Sequence, residues 1–239
     1  MRPIIGILGG MGPRATVQFE QLLLDRFPGS DQSIPTIVSI NDGAIPDRSA
    51  FLLGRGSDPV PRMQRNLAML EQAGADIVCL PCNTASVPTI ANRLQTFSSH
   101  FISLPAEVEK VVLAGQPRRV CVLATRGTIQ SKMYQQICQQ LGIDVVVPDR
   151  VMQQLVTRCI NLVKAGDVVA ARNYARQIAM YVQSQSCDAA ILGCTELPLI
   201  AETIVPQGCQ AFDTLAILAD ACAELVAEGV NHETRSIHA

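Results

Sequence analysis

Two cysteines have the placement best suited to chemistry in this chain. Cys82 and Cys194 each follow an apolar run and lead into a polar turn, Asn83-Thr84 in one case and Thr195-Glu196 in the other. The stretch ADIVCLPCNT (75–84) aligns without a gap on CDAAILGCTE (187–196), so the two thiols stand in register 112 residues apart. A second match, PIIGILGGMG near the start with RRVCVLATRG from Arg118, sets Gly12 on Gly127. The chain therefore reads as two halves with one order of elements. Packed face to face, they would bring both strand ends to one cleft, with room for a small molecule between two sulfurs. A free thiol titrates near ~8.5, and a helix N-terminus or a cation can lower that, so a thiolate can act as a base near neutrality. Two thiols on opposite sides of a substrate suit removal of a proton from one face and delivery to the other.

The elements that must position these residues follow from periodicity. Short apolar runs at Ile4 to Leu8, Thr36 to Ile40, Asp76 to Leu80, Val120 to Ala124, Val145 to Val147 and Ala189 to Leu192 predict strands. They are continuous rather than alternating, as in parallel sheets covered on both faces. Segments Arg14 to Phe27, Pro61 to Gln72, Ser131 to Leu141, Val151 to Lys164, Val168 to Ser184 and Leu215 to Glu228 carry apolar residues at helical spacing. Met133, Ile137 and Leu141 form one such stripe. The expected fold is α/β: two pseudo-symmetric domains, each a mostly parallel sheet flanked by helices, with the site in the cleft between them. The expected domains are residues 1–105 and 106–206, with segment 207–239 crossing back to the first. A hinge is expected between Leu104 and Arg118, a helix C-cap at Gly229, and a frayed tail from Asn231 to Ala239. The carboxyl ends of such strands are where open α/β sheets bind ligands.

Composition excludes several classes. With 239 residues, 48% of them hydrophobic, the chain can bury a large core. A net charge of −2 and scattered arginines argue against a nucleic-acid partner. Apolar runs are only strand-length and no signal-peptide pattern opens the chain, so no membrane association and a cytoplasmic location are expected. Nine cysteines, an odd number without framework spacing, read as reduced thiols. Cys79, Cys121 and Cys159 fit buried apolar positions.

Three rival motifs are weaker. Cys79 and Cys82 form a C-x-x-C, but positions three apart on a strand point to opposite faces unless Pro81 breaks it, and no second pair or nearby histidine completes a metal site. No metal is expected. Hydrolysis by a nucleophile and histidine is disfavoured because His100, His232 and His238 lie outside the motifs. Gly10-Met11-Gly12-Pro13-Arg14-Ala15 matches a dinucleotide fingerprint, yet the acidic residue after the second strand, Asp42, stands about thirty residues on instead of the usual ~20. The alternative is a tight turn that lets backbone approach a small ligand.

Together GGMGPRAT (9–16), PCNTA (81–85), ATRGT (124–128) and GCTEL (193–197) resemble the aspartate/glutamate racemase superfamily, over about Ile4 to Leu218. Gly9-Gly10-Met11 and Gly-Cys-Thr-Glu, where glutamate racemases carry Asp-Ser and Gly-Cys-Thr-His, resemble the aspartate racemase branch. The resemblance implies a cofactor-independent racemase, two similar domains, a last helix returning to the first, and a homodimer. It implies Cys82 and Cys194 as the acid/base pair. Met11, Asn83, Thr84, Thr125, Thr128 and Thr195 would hold the substrate's α-carboxylate and amino group, and Arg48 and Lys164 its side-chain carboxylate, a task that suits a planar guanidinium. Glu196 would orient Cys194. Glutamate, a broader set of amino acids or a diacid remain alternative substrates. An amino-acid-binding protein without turnover and a dinucleotide-dependent oxidoreductase remain alternative functions.

Overall fold

The computed structural model describes residues 2–94 and 99–229; the tail with His232 and His238 lies outside them. The first half runs β1 (Ile5–Gly9), α1 (Pro13–Leu24), β2 (Ile37–Asn41), α2 (Arg48–Leu52), α3 (Val60–Gln72), β3 (Ile77–Cys79), α4 (Pro88–Ala91), β4 (His100–Phe101) and α5 (Leu104–Gly115). The second runs β5 (Arg119–Ala124), α6 (Arg126–Ser131), α7 (Met133–Gln140), β6 (Asp144–Val146), α8 (Arg150–Ala165), α9 (Val168–Ser184), β7 (Ala189–Gly193), α10 (Ala201–Ile204), β8 (Gln210–Asp213) and α11 (Thr214–Glu228). Two four-stranded parallel sheets result, in the orders β2-β1-β3-β4 and β6-β5-β7-β8. The order is the same in both, as the sequence repeat requires.

The repeat extends to individual hydrogen bonds. Asp76, before β3, accepts the Ile4 amide at 2.8 Å, and its own amide donates to the Ile4 carbonyl. Asp188, before β7, accepts the Arg119 amide at 2.9 Å, and its amide donates to the Arg119 carbonyl. Each aspartate thus sets the register between the two central strands of its sheet, which aligns the two cysteine-bearing strand ends.

Alternation along β5 divides the second sheet's faces. Val120, Val122 and Ala124 join one core with the first half, whereas Cys121 and Leu123 pack with the buried stripes of α8 and α9. The halves share one apolar interior on the inner face.

Two expectations change. The segment 104–118 is a helix for most of its length, α5, which packs on α7, β8 and α11. Apolar residues Leu104, Val108 and Val112 at four-residue spacing bury its inner face, so the bend falls at Gln116, held at φ 47°, and Pro117. The segment expected to cross back from residue 207 first adds β8 to the second sheet beside β7, and the crossing starts with α11. That helix then packs on α1, α5 and β3 and ends at Gly229, φ 74°.

Candidate functional site

The sheet order dictates where the site falls. In each sheet the connections leave the two central strands in opposite directions, which opens a crevice at their carboxyl ends. Met11 follows β1 and Cys82 to Thr84 follow β3; Thr125 follows β5 and Cys194 to Glu196 follow β7. All four strand ends meet at one small cavity, lined also by Asp47, Arg48, Ser49 and Lys164. Of the expected site residues only Thr128 is outside its lining, behind Thr84 and Thr125. Cys82 and Cys194 are 4% and 5% exposed, so both thiols are almost fully enclosed.

The two halves are tied together across this cavity by polar side chains. The Thr84 hydroxyl lies 2.9 Å from that of Thr125 and 3.0 Å from that of Thr128, which are 3.1 Å from each other. This triangle of hydroxyls crosses the interface. Asn83 is held differently: its Oδ1 accepts the Tyr134 hydroxyl and its Nδ2 donates to Thr214 Oγ1 at 2.9 Å. Both ends of the Asn83 amide are thereby engaged, which fixes its side chain in the seam. Tyr134 and Thr214 were not anticipated. The signal existed for Tyr134, which lies beside Met133 on the apolar stripe of α7 and must find a partner for a buried hydroxyl.

Arg48 is buried and not a surface charge, at 8% exposure. Its Nη1 donates to the carbonyls of Ile45 and Pro46, and its Nη2 to that of Met11 at 3.0 Å. A guanidinium has five N–H donors, so Nε–H and one Nη2–H remain, and Nε has no partner. These are the donors that Arg48 has left for a ligand. Lys164, on the cavity-facing side of α8, has its Nζ 4.0 Å from Glu196 Oε1. Burial works to lower the Lys164 ammonium, but Cys194, Glu196 and Cys82 around it outweigh that and raise it, so it is a cation.

Glu196 is 2% exposed. Its Oε2 accepts the Cys194 thiol at 3.0 Å, while its Oε1 is buried with no hydrogen-bond partner. Burial and the adjacent Glu196 charge push the Cys194 thiol well above its ordinary range, against the pull of Lys164 and of the Glu196 amide. This reverses the expectation of a thiolate favoured by a helix N-terminus. The physical reason is local: Cys194 is buried beside the Glu196 carboxylate and leads only into a 3-10 turn, Leu197–Ile200.

The rival motifs lose their geometry. Cys79 is fully buried and its thiol meets Cys222 of α11, not Cys82. Among the described residues no group of three or more His, Cys, Asp or Glu is arranged for a metal, and His100 lies exposed on β4. The glycine-rich turn after β1 is packed shut: a Cβ on Gly10, which has φ +93°, would come within 2.3 Å of the Asp42 backbone. Asp42 is engaged by Arg62 at 2.6 Å and Asn66 at 2.8 Å, so it has no spare edge for a ribose. A Cβ on Gly12 would meet Glu196 Oε1 at 2.9 Å, which puts a carboxylate where a pyrophosphate would have to lie. No helix among the described residues is long and apolar enough to cross a membrane.

Known proteins share this fold. The model of the family described as Asp/Glu/Hydantoin racemase matches residues 8–222. A glutamate racemase of Pseudomonas entomophila is 30% identical over 174 residues, 70% of this chain and 64% of that protein. One of Deinococcus radiodurans is 32% identical over 142 residues, 59% of this chain and 48% of that protein. The matched stretches thus span less than two thirds of these relatives. The structure of Picrophilus torridus aspartate racemase superposes with a TM-score of 0.85 at 29% identity, over 97% of both chains. That of glutamate racemase from Francisella tularensis in complex with D-glutamate gives 0.67 at 20% identity, over 95% of this chain and 81% of that one, a likeness of fold. With nine tenths of its length matched by the family model and the same two-sheet architecture in these neighbours, the chain belongs to the Asp/Glu/Hydantoin racemase family.

Proposed function

We propose that the protein is an amino-acid racemase that interconverts L- and D-aspartate by moving protons at the α-carbon between Cys82 and Cys194, without a cofactor. The observation that carries the reading is the pair of thiols at equivalent strand ends of two repeated halves, lining one cavity with two cations. Cys82 as thiolate removes the α-proton from one face, and Cys194, held protonated beside Glu196, delivers a proton to the other. No bond other than S–H and C–H is made or broken. The negative charge that develops on the α-carboxylate needs positioned donors, worth about 3 to 4 kcal/mol each. The Thr84 and Thr125 hydroxyls, steadied from behind by Thr128, supply them together with the backbone around Met11, Asn83 and Thr195. Arg48, through its two remaining donors, and Lys164 take the side-chain carboxylate.

The likeness to the Picrophilus torridus aspartate racemase over nearly the whole of both chains supports aspartate. Glutamate is the second reading, favoured by the names of the curated relatives. The domains in this reading are the two halves with α11 returned to the first, working as a homodimer in the cytoplasm, the dimer to be checked by sedentation in solution at assay concentration. The test of the reaction is incubation of either aspartate enantiomer in deuterated water without pyridoxal phosphate. Deuterium should appear at the α-carbon as the optical rotation decays. Folded protein that exchanges no α-proton on aspartate, glutamate or a wider amino-acid panel would remove the reading, whereas turnover of glutamate alone would move the substrate and keep the mechanism.

A further inference from the structure

Resting on the racemase reading, we propose that Glu196 and Lys164 form the path by which Cys194 exchanges its proton with solvent between turnovers. A two-thiol inversion leaves its catalysts swapped: Cys82 has gained a proton and Cys194 has lost one. To accept the same enantiomer again, the free protein must restore the first arrangement. Burial of both cysteine residues, 4% and 5% exposed, blocks direct exchange with water.

Cys194 alone of the two has an acid–base neighbour in its hydrogen bonds, Glu196 Oε2 at 3.0 Å. The other oxygen of that carboxylate is buried, unpartnered and 4.0 Å from Lys164 Nζ. Buried polar atoms without partners are rare and call for an explanation. Lys164 continues the line outward, because its side chain is 34% exposed and also borders an outer groove with Asp47, Ser49, Arg55, Arg126 and Asn161. A sulfur, a carboxylate and an ammonium thus lead from the cavity to water, with one gap that a lysine rotation or a single water spans. The ionisable groups facing this path are Cys194 and Glu196, Lys164 from α8, Cys82 from the first half, Asp47 and Arg48 at the start of α2, and Arg55 and Arg126 at the outer groove.

The steps balance as proton transfers. The Lys164 ammonium gives a proton to the Glu196 carboxylate, which passes it to the Cys194 thiolate and is a carboxylate again. The neutral amine takes a proton from water in the groove, and the hydroxide formed there is neutralised by the proton that Cys82 gives up as the free protein returns to its first state. In effect one proton moves from Cys82 to Cys194, and no electrons change hands.

The substitution Glu196→Gln keeps the acceptor for the thiol but cannot carry a proton. Its kcat should fall by about tenfold or more, while kcat/KM falls by a clearly smaller factor, and small buffer acids should restore the rate. A purely structural role would lower both constants together without rescue, and that result, or an unchanged kcat, overturns the proposal. A second readout does not need turnover: the pH profile of Cys194 alkylation by iodoacetamide, followed by site-resolved mass spectrometry in a Cys82→Ser background. Removing the Glu196 charge should move this profile to lower pH. An unmoved profile overturns the coupling, whereas a wild-type protein that racemises nothing but shows the shift refutes the racemase reading and supports the coupling.

Discussion

Ser49 Oγ accepts the Gly127 amide at 2.9 Å, and this bond joins α2 of the first half to α6 of the second. The approach is close enough that a Cβ on Gly127 would lie 2.8 Å from the Ser49 Cα. Ser49 also lines the cavity that holds both thiols, so the contact ties one wall of the site to the other half.

The first prediction concerns that contact. Gly127→Ala should force α2 and α6 apart, raise KM and lower stability by about 1 to 3 kcal/mol. Ser49→Ala, which removes only the hydrogen bond, should lower stability by about 1 kcal/mol. Steady-state kinetics and urea denaturation measure both; a Gly127→Ala protein with unchanged KM would show that this contact does not shape the site.

The thiols themselves give the second. Cys82→Ser and Cys194→Ser should each reduce racemisation by at least about 10²- to 10⁴-fold, because a hydroxyl is too weak an acid to replace a thiol in proton transfer. Circular dichroism and the melting temperature should remain those of the parent. Near-parental activity in either variant would rule out the pair.

Arg48→Lys tests the distal carboxylate. A lysine supplies a point charge in place of the two remaining N–H donors, so KM for aspartate should rise by about tenfold to a hundredfold, the value of charged hydrogen bonds worth about 1.5 to 3 kcal/mol. An amino acid with a neutral side chain should be affected less. Equal loss for both substrates would mean that Arg48 only supports the loop through Ile45, Pro46 and Met11.

Tyr134→Phe addresses the seam between the halves. It leaves Asn83 Oδ1 without its donor in a buried position, which should destabilise the protein by about 1 to 3 kcal/mol. The denaturation midpoint reports this, and no change would mean that a water replaces the hydroxyl.

Alkaline pH should weaken the fold. Burial pushes the Cys138 and Cys159 thiols up to about 11 from the 9.0 of an exposed thiol. The unfolded chain therefore releases these protons first, so the stability they contribute is complete below pH 9 and is lost between about 9 and 11. Thermal midpoints across that range should fall, and a flat profile would contradict the assignment.

Much of the framework was legible before folding because it depends on local pattern. Apolar runs of strand length, helical stripes such as Val156, Cys159, Ile160 and Val163, and the gap-free match of 75–84 to 187–196 sufficed for six of the eight strands, the long helices and the doubled order. The cysteine positions followed, since a residue after a parallel strand in such a fold is carried to the sheet's carboxyl edge. What remained hidden was short or non-local. The strand His100–Phe101 is two residues long, and Gln210–Asp213 opens on two exposed residues, so neither carries an apolar signature. Segment 104–118 resembled a linker until its apolar side met α11.

The sequence by itself determined the residue types and their register: two thiols, a buried-capable arginine, a lysine and a glutamate at strand ends and on two helices. Only the tertiary structure decided their states. Whether Arg48 is solvated or enclosed, whether Asn83 faces a ligand or Tyr134 of the other half, and whether Cys194 is pulled toward thiolate by Lys164 or held as thiol by burial beside Glu196 all depend on how the segments pack. Register is a property of the chain's own periodicity, but burial and charge environment arise only when distant segments are packed together.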